Sequence, residues 1–153
     1  MNVYSNEMDE HYIGIFAGSR NVKFCGTVPY SEVMKKSAES DILIVVEGFK
    51  KKDVDITRYS LSTKVADSLS SGAAVFAYGS AECGAIEYAE STGCITTCTD
   101  KDMLEVSLRS LIYDTELQRR NYEKGITVVE NNHRLENSTG IFESVVNGVC
   151  GDL

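Results

Sequence analysis

Positive charge is scarce in this sequence: 15 lysines and arginines stand against 23 aspartates and glutamates, a formal net charge of −8. So acidic a surface is not a whole-surface partner for nucleic acid or for an anionic membrane, because both need excess cations. Long apolar runs are missing too, with none approaching the ~18 residues that span a bilayer. The apolar stretch 12–17 behind the acidic start is too short for a signal peptide. Histidine occurs only at 11 and 133, and five cysteines are an odd number without the density of a disulfide framework. That usage implies a reduced, cytoplasmic setting and no metal cofactor. Proline occurs once, at Pro29, so helices and strands run with few interruptions. What is present, 42% apolar and 25% charged residues over 153 positions, is globular rather than disordered. The length suits a single domain, 1–153, able to bury roughly 70% of its unfolded surface without a staple.

The patterning alternates between strand and helix. Residues 12–17 (YIGIFA) and 22–25 (VKFC) read as short strands closed by glycines. Residues 42–46 (ILIVV), between Asp41 and Glu47, form a β-branched run of the kind covered on both faces in a parallel sheet. Residues 73–78, between Gly72 and Gly79, form a second such run, and 94–98 a weaker fifth strand. Helices are expected from Ser31 to Ser40, from Ser62 to Gly72 with Val65, Ala66 and Leu69 on one face, and from Gly84 to Ser91. Three apolar stripes follow: Leu104, Leu108, Leu111 and Ile112 behind a cap at Thr99/Asp100; Leu117, Tyr122, Ile126 and Val129; and Ile141, Phe142, Val145 and Val146. These stripes are read as core. The order predicts an α/β fold with a doubly wound parallel sheet.

In open α/β sheets ligands lie at the carboxyl ends of the strands, near helix N-termini. Three loops are therefore of interest: residues 26–30, 48–61 and 79–82. The middle one is long for a connection and locally basic, since five cations against two carboxylates over residues 48–64 give 5 − 2 = +3. It leads into Ser62-Thr63-Lys64, where free amides, the positive end of a helix dipole, two hydroxyls and an ammonium would suit a phosphate or diphosphate. The alternative is that Ser62 simply caps the helix and the lysines are solvated.

Residues 61–77 (LSTKVADSLSSGAAVFA) resemble the core signature of group 1 glycosyltransferases of the GT-B fold. There a Ser/Thr-Lys opens a helix, an acidic residue follows, then small residues, a glycine and a buried strand. Residues 21–29, 37–45 and 113–142 are similar to flanking parts of that pattern, so the resemblance extends over about 20–147. It implies a Rossmann-like doubly wound sheet, the C-terminal half of a GT-B glycosyltransferase. Its function would be to bind a nucleotide diphosphate sugar, with UDP or GDP as carrier, for transfer of the sugar to a glycan, lipid or other acceptor. Carried over residue by residue, the resemblance gives Lys64 and Asp67 as catalytic residues. Ser62, Thr63 and Lys64 fall where the donor phosphates are held, Asp67 where a carboxylate accepts from both ribose hydroxyls, and Val28, Pro29 and Tyr30 in the loop beside the base. Tyr59 stands where the family carries a first acidic residue, and so departs from the pattern. The resemblance also implies a missing N-terminal acceptor-binding domain as partner, membrane contact only through parts outside this chain, and no turnover by this chain alone.

Other patterns carry less. Asp100-Lys101-Asp102 reads as a helix cap rather than a metal site, and Asp53-Val54-Asp55 as part of the solvated loop. Cys94 and Cys98 read as strand-buried thiols, His133 as a surface or capping residue, and 137–139 as a sequon that a cytoplasmic chain would not use. A non-catalytic Rossmann-like module binding a nucleotide or a protein is the alternative function. A receiver-like domain would need carboxylates after the first strand, where residues 17–19 (AGS) offer none.

Overall fold

Every strand pair among the described residues is parallel. A parallel pair cannot be closed by a tight turn and requires a crossover of a dozen or more residues, usually a helix. The computed structural model describes residues 1–6 and 10–150, which fall into two compact units, Met1–Lys36 and Ser37–Leu153.

In the first unit β1 (Asn2–Val3) pairs with β2 (Lys23–Phe24). The crossover is α1 (Glu10–Ala17), a helix where a strand is expected from residues 12–17. The parallel pairing is the physical reason, because those residues must carry the chain back rather than extend the sheet. Ile13 and Phe16, at helical spacing, are half-buried, and the Phe16 ring stacks on Phe24 at 6.3 Å between centroids. Helix α2 (Tyr30–Ala38) follows.

In the second unit β3 (Ile42–Val46), β4 (Ala74–Tyr78) and β5 (Thr96–Cys98) lie in the order β3-β4-β5. Ile42 stands opposite Ala74, and Phe76 opposite Thr96. Helices α3 (Lys51–Thr57) and α4 (Thr63–Ser70) connect β3 to β4, and α5 (Gly84–Thr92) connects β4 to β5. A 3₁₀ turn (Lys101–Met103) leads into α6 (Leu104–Tyr113), α7 (Thr115–Asn132) and α8 (Leu135–Cys150). Central strand β4 is covered on both faces. Val75 and Ala77 pack with Val65, Leu69, Ala85 and Ile86 of α4 and α5. Ala74 and Phe76 pack with Leu104, Leu108 and Leu111 of α6. Asn121, a buried polar side chain on α7, is satisfied by donating Nδ2–H to Thr96 Oγ1 at 2.8 Å.

The α/β class and its parallel strands agree with the sequence reading, although the strands form two small sheets. Three expectations are corrected. The run 42–46 is not covered on both faces: β3 is an edge of its sheet, and Ile44 and Val46 are exposed. Residues 48–61 are not one long loop, since α3 occupies half of them and buries Val54. The terminal stripes are core only in part: Leu111 is buried, but Ile112, Tyr122 and Ile126 are exposed, and on α8 Ile141, Phe142, Val145 and Val146 are all exposed. Helix periodicity identifies an apolar face but not whether the chain supplies anything to cover it.

Candidate functional site at the carboxyl edge of the sheet

Strands β3, β4 and β5 run in one direction, so their carboxyl ends share one edge. The β3-to-β4 crossover returns through α4, whose last turn feeds β4 through Gly72 at a φ of 86°. The N-terminus of α4 therefore starts from the edge where β3 ends. Past the strand ends the backbone stays knit: Glu47 N–H donates to Tyr78 O at 2.8 Å, Gly79 N–H to Cys98 O at 3.2 Å, and Ser80 N–H to Gly48 O at 3.4 Å.

Glycines make this edge tight. A Cβ on Gly79 would lie 2.6 Å from the Cβ of Glu47 and 3.2 Å from its Cα, so the ends of β3 and β4 meet with no room for a side chain. One on Gly48 would run into Asp53. One on Gly84 would lie 2.8 Å from Ser60 O, so the start of α5 abuts the chain leaving α3. There Thr57 Oγ1 donates to the buried Cys83 sulfur at 3.3 Å, and that thiol in turn faces Gly48 O at 3.5 Å. Arg58 reaches Glu82 across the same junction at 3.4 Å.

On α4, Val65 and Leu69 enter the core, which leaves Thr63, Lys64 and Asp67 exposed on the opposite side. These lie within one turn, at spacings of three and four that place them on a common face. Ser62 is the N-cap residue, but its side chain makes no capping hydrogen bond, which corrects the capping alternative. Val65 N–H turns back to Ser62 O at 2.9 Å, whereas the earliest amides of a helix have no partner within it. Glu47, at the end of β3, has its carboxyl pushed above the ordinary value by burial, and the Lys64 ammonium partly opposes that rise.

Ser62, Thr63, Lys64 and Asp67 are accordingly brought together on one helix start. Val28, Pro29 and Tyr30 belong to the other unit: Val28 is half-buried, Pro29 O accepts from Glu32 N–H at 2.8 Å, and Tyr30 is 90% exposed at the head of α2. Tyr59 is 91% exposed, with the Arg58 guanidinium 5.2 Å from its ring centre. Sequence reasoning missed Glu47. Its signal was a charge closing a β-branched run just before a glycine. It also missed α3, whose Lys51 pairs with Asp55 at 3.2 Å, so the Asp53-Val54-Asp55 segment is helical rather than loop. The basic excess of 48–64 is partly neutralised by Glu82, which pairs with Arg58 from outside the segment.

The lesser readings hold elsewhere. Asp100 accepts from Asp102 N–H at 2.9 Å as a cap, and Cys94 and Cys98 are buried. His133 caps α7 and lies 2.8 Å from the Tyr88 hydroxyl. Among the described residues no group of three or more His, Cys, Asp or Glu is placed to hold a metal ion, and no helix is long and apolar enough to cross a membrane. The chain matches no family model and no curated protein sequence.

Proposed function

We propose that this chain is the donor-binding, Rossmann-like half of a GT-B glycosyltransferase, seating a nucleotide diphosphate at the start of α4. The observation that carries the reading is that α4 starts from the carboxyl edge with an N-cap serine that makes no side-chain cap and with Lys64 exposed in its first turn. An anion placed there meets unpaired amides, the positive end of the helix dipole and an ammonium. Asp67, one turn along, offers two oxygens to a vicinal diol.

In the reaction this site would serve, the bond between the anomeric carbon and the diphosphate oxygen breaks and its electron pair leaves with the diphosphate. The acceptor oxygen forms the new bond and gives up its proton. Negative charge grows on the leaving group, and donors already aimed at that position stabilise it without reorganising. Lys64 and the α4 amides would have that role, with Ser62 and Thr63 hydroxyls as further donors. The acceptor and its binding domain lie outside this chain in this reading, and the setting is cytoplasmic.

Calorimetric titration with UDP and with GDP tests it. Saturable binding of one of them is expected, with Lys64→Ala weakening the diphosphate about tenfold while sparing the corresponding nucleoside. Asp67→Ala should weaken both. The exposed Tyr59, standing where the family pattern has a carboxylate, favours a second reading, a binding module without transferase chemistry. Absence of saturable binding at millimolar nucleotide would decide for a protein-binding form of that module.

A further inference from the structure

Every residue of helix α8 from 135 to 149 is exposed. Its first turns are held to the end of α7, with Asn137 Nδ2 donating to the carbonyls of Glu130 at 2.8 Å and Asn131 at 2.9 Å. Beyond that it carries Leu135, Phe142 and Val149 in solvent at 77%, 69% and 67% exposure. A helix of this length gains little stability from propensity alone and needs an apolar face to be buried.

The pattern on this face specifies what would bury it. Leu135, Phe142 and Val149 recur every seven residues, and Val145 lies between the last two, giving one seam along about 24 Å of helix. The carboxylates of the helix, Glu136 and Glu143, follow the seam residues by one position and so lie off the seam. The seam is therefore uncharged, and two copies can approach along it despite a net charge of −8 each. It is also self-complementary about its midpoint. Turned end for end on Phe142, the helix sets Leu135 against the partner's Val149. Val145 and Val146 then meet the small side chains of the partner's Thr139 and the partner's Ser138. Fully covering Leu135, Phe142, Val145 and Val149 would bury on the order of 500 Å² per copy, below the ~800 Å² per partner of a standard interface and in the range of a weak, concentration-dependent pair.

We propose that α8 pairs antiparallel with α8 of a second copy of this chain, about a two-fold axis passing at Phe142. The pairing is isologous, so it closes at a dimer rather than growing into a fibre. It does not depend on the nucleotide reading, since α8 carries none of the residues assigned to that site.

Sedimentation equilibrium of the intact chain from micromolar to millimolar concentration tests it. The expected result is a monomer–dimer equilibrium, from 16.8 kDa to twice that mass, tightened by added salt as the like charges are screened. Phe142→Glu should keep the circular dichroism of the parent, because the site is exposed, and weaken the dimer at least tenfold. In a Cys150→Ser background, Leu135→Cys and Val149→Cys proteins, oxidised as a mixture, should cross-link beyond the level of either variant alone. A monomer at all concentrations, a dimer unaffected by Phe142→Glu, or equal cross-linking of Leu135→Cys with itself would overturn the proposal. So would binding of the monomer to phosphatidylcholine vesicles through α8.

Discussion

Glu47 combines two opposed influences, partial burial that favours its protonated form and the Lys64 ammonium that favours its carboxylate, and burial is the larger. Its folded pKa lies above the ordinary value of 4.5. Its contribution to stability is therefore whole below the unfolded pKa and is lost as pH rises through the folded one. Glu47→Gln should raise the melting temperature at pH 7, and the gain should vanish as the pH falls below about 4.5. Thermal melts across that range check the sign. Lys64→Ala removes the opposing charge, so Glu47 should titrate higher still, which carboxyl NMR would resolve. Ser62 and Asp114 form a contrasting pair. Asp114 accepts from Leu117 N–H at 2.9 Å and caps α7, whereas Ser62 makes no such bond. Asp114→Ala should cost about 1 kcal/mol in urea unfolding, and Ser62→Ala much less.

At the level of elements, the parallel ladders make several helices obligatory, and the tight edge makes some glycines so. Gly79→Ala drives a methyl into Glu47 where the neighbouring atoms include backbone. It should destabilise the fold by about 1–3 kcal/mol in denaturant unfolding, whereas Gly140→Ala on α8, with open space around it, should not. Strands β3, β4 and β5 and helices α4 to α7 were legible because each shows one period bounded by a glycine or a cap. The two misread elements showed no single clear period. Residues 12–17 are apolar at every position but Gly14, so no polar residue marks a period of two against one near 3.6. Residues 51–57 are charged on all but one side, with Val54 alone marking the buried face. Within the candidate site, Ser62 to Asp67 were visible as a cluster because they are contiguous. Glu47 and Arg58–Glu82 were not, because tertiary folding alone brings them to that edge.

For the molecule as a whole, charge and uncovered apolar surface act against each other. The excess of carboxylates keeps copies apart in solution, and that protection disappears near the sequence isoelectric point of about 4.8. Turbidity should peak close to that pH, and Phe142→Glu, which removes apolar surface and adds a carboxylate, should lower the peak. The larger unit owes its cohesion to a three-stranded sheet sandwiched between helices, so its most protected amides should be those of β4. Cys83 turns that cohesion into a clock. Its thiol is wholly enclosed between Thr57 and Gly48, so an alkylating reagent reaches it only when the strand ends part from their helices. The rate at which Cys83 is modified, followed by mass spectrometry, counts those openings, and a molecule seated on the same edge would slow the count.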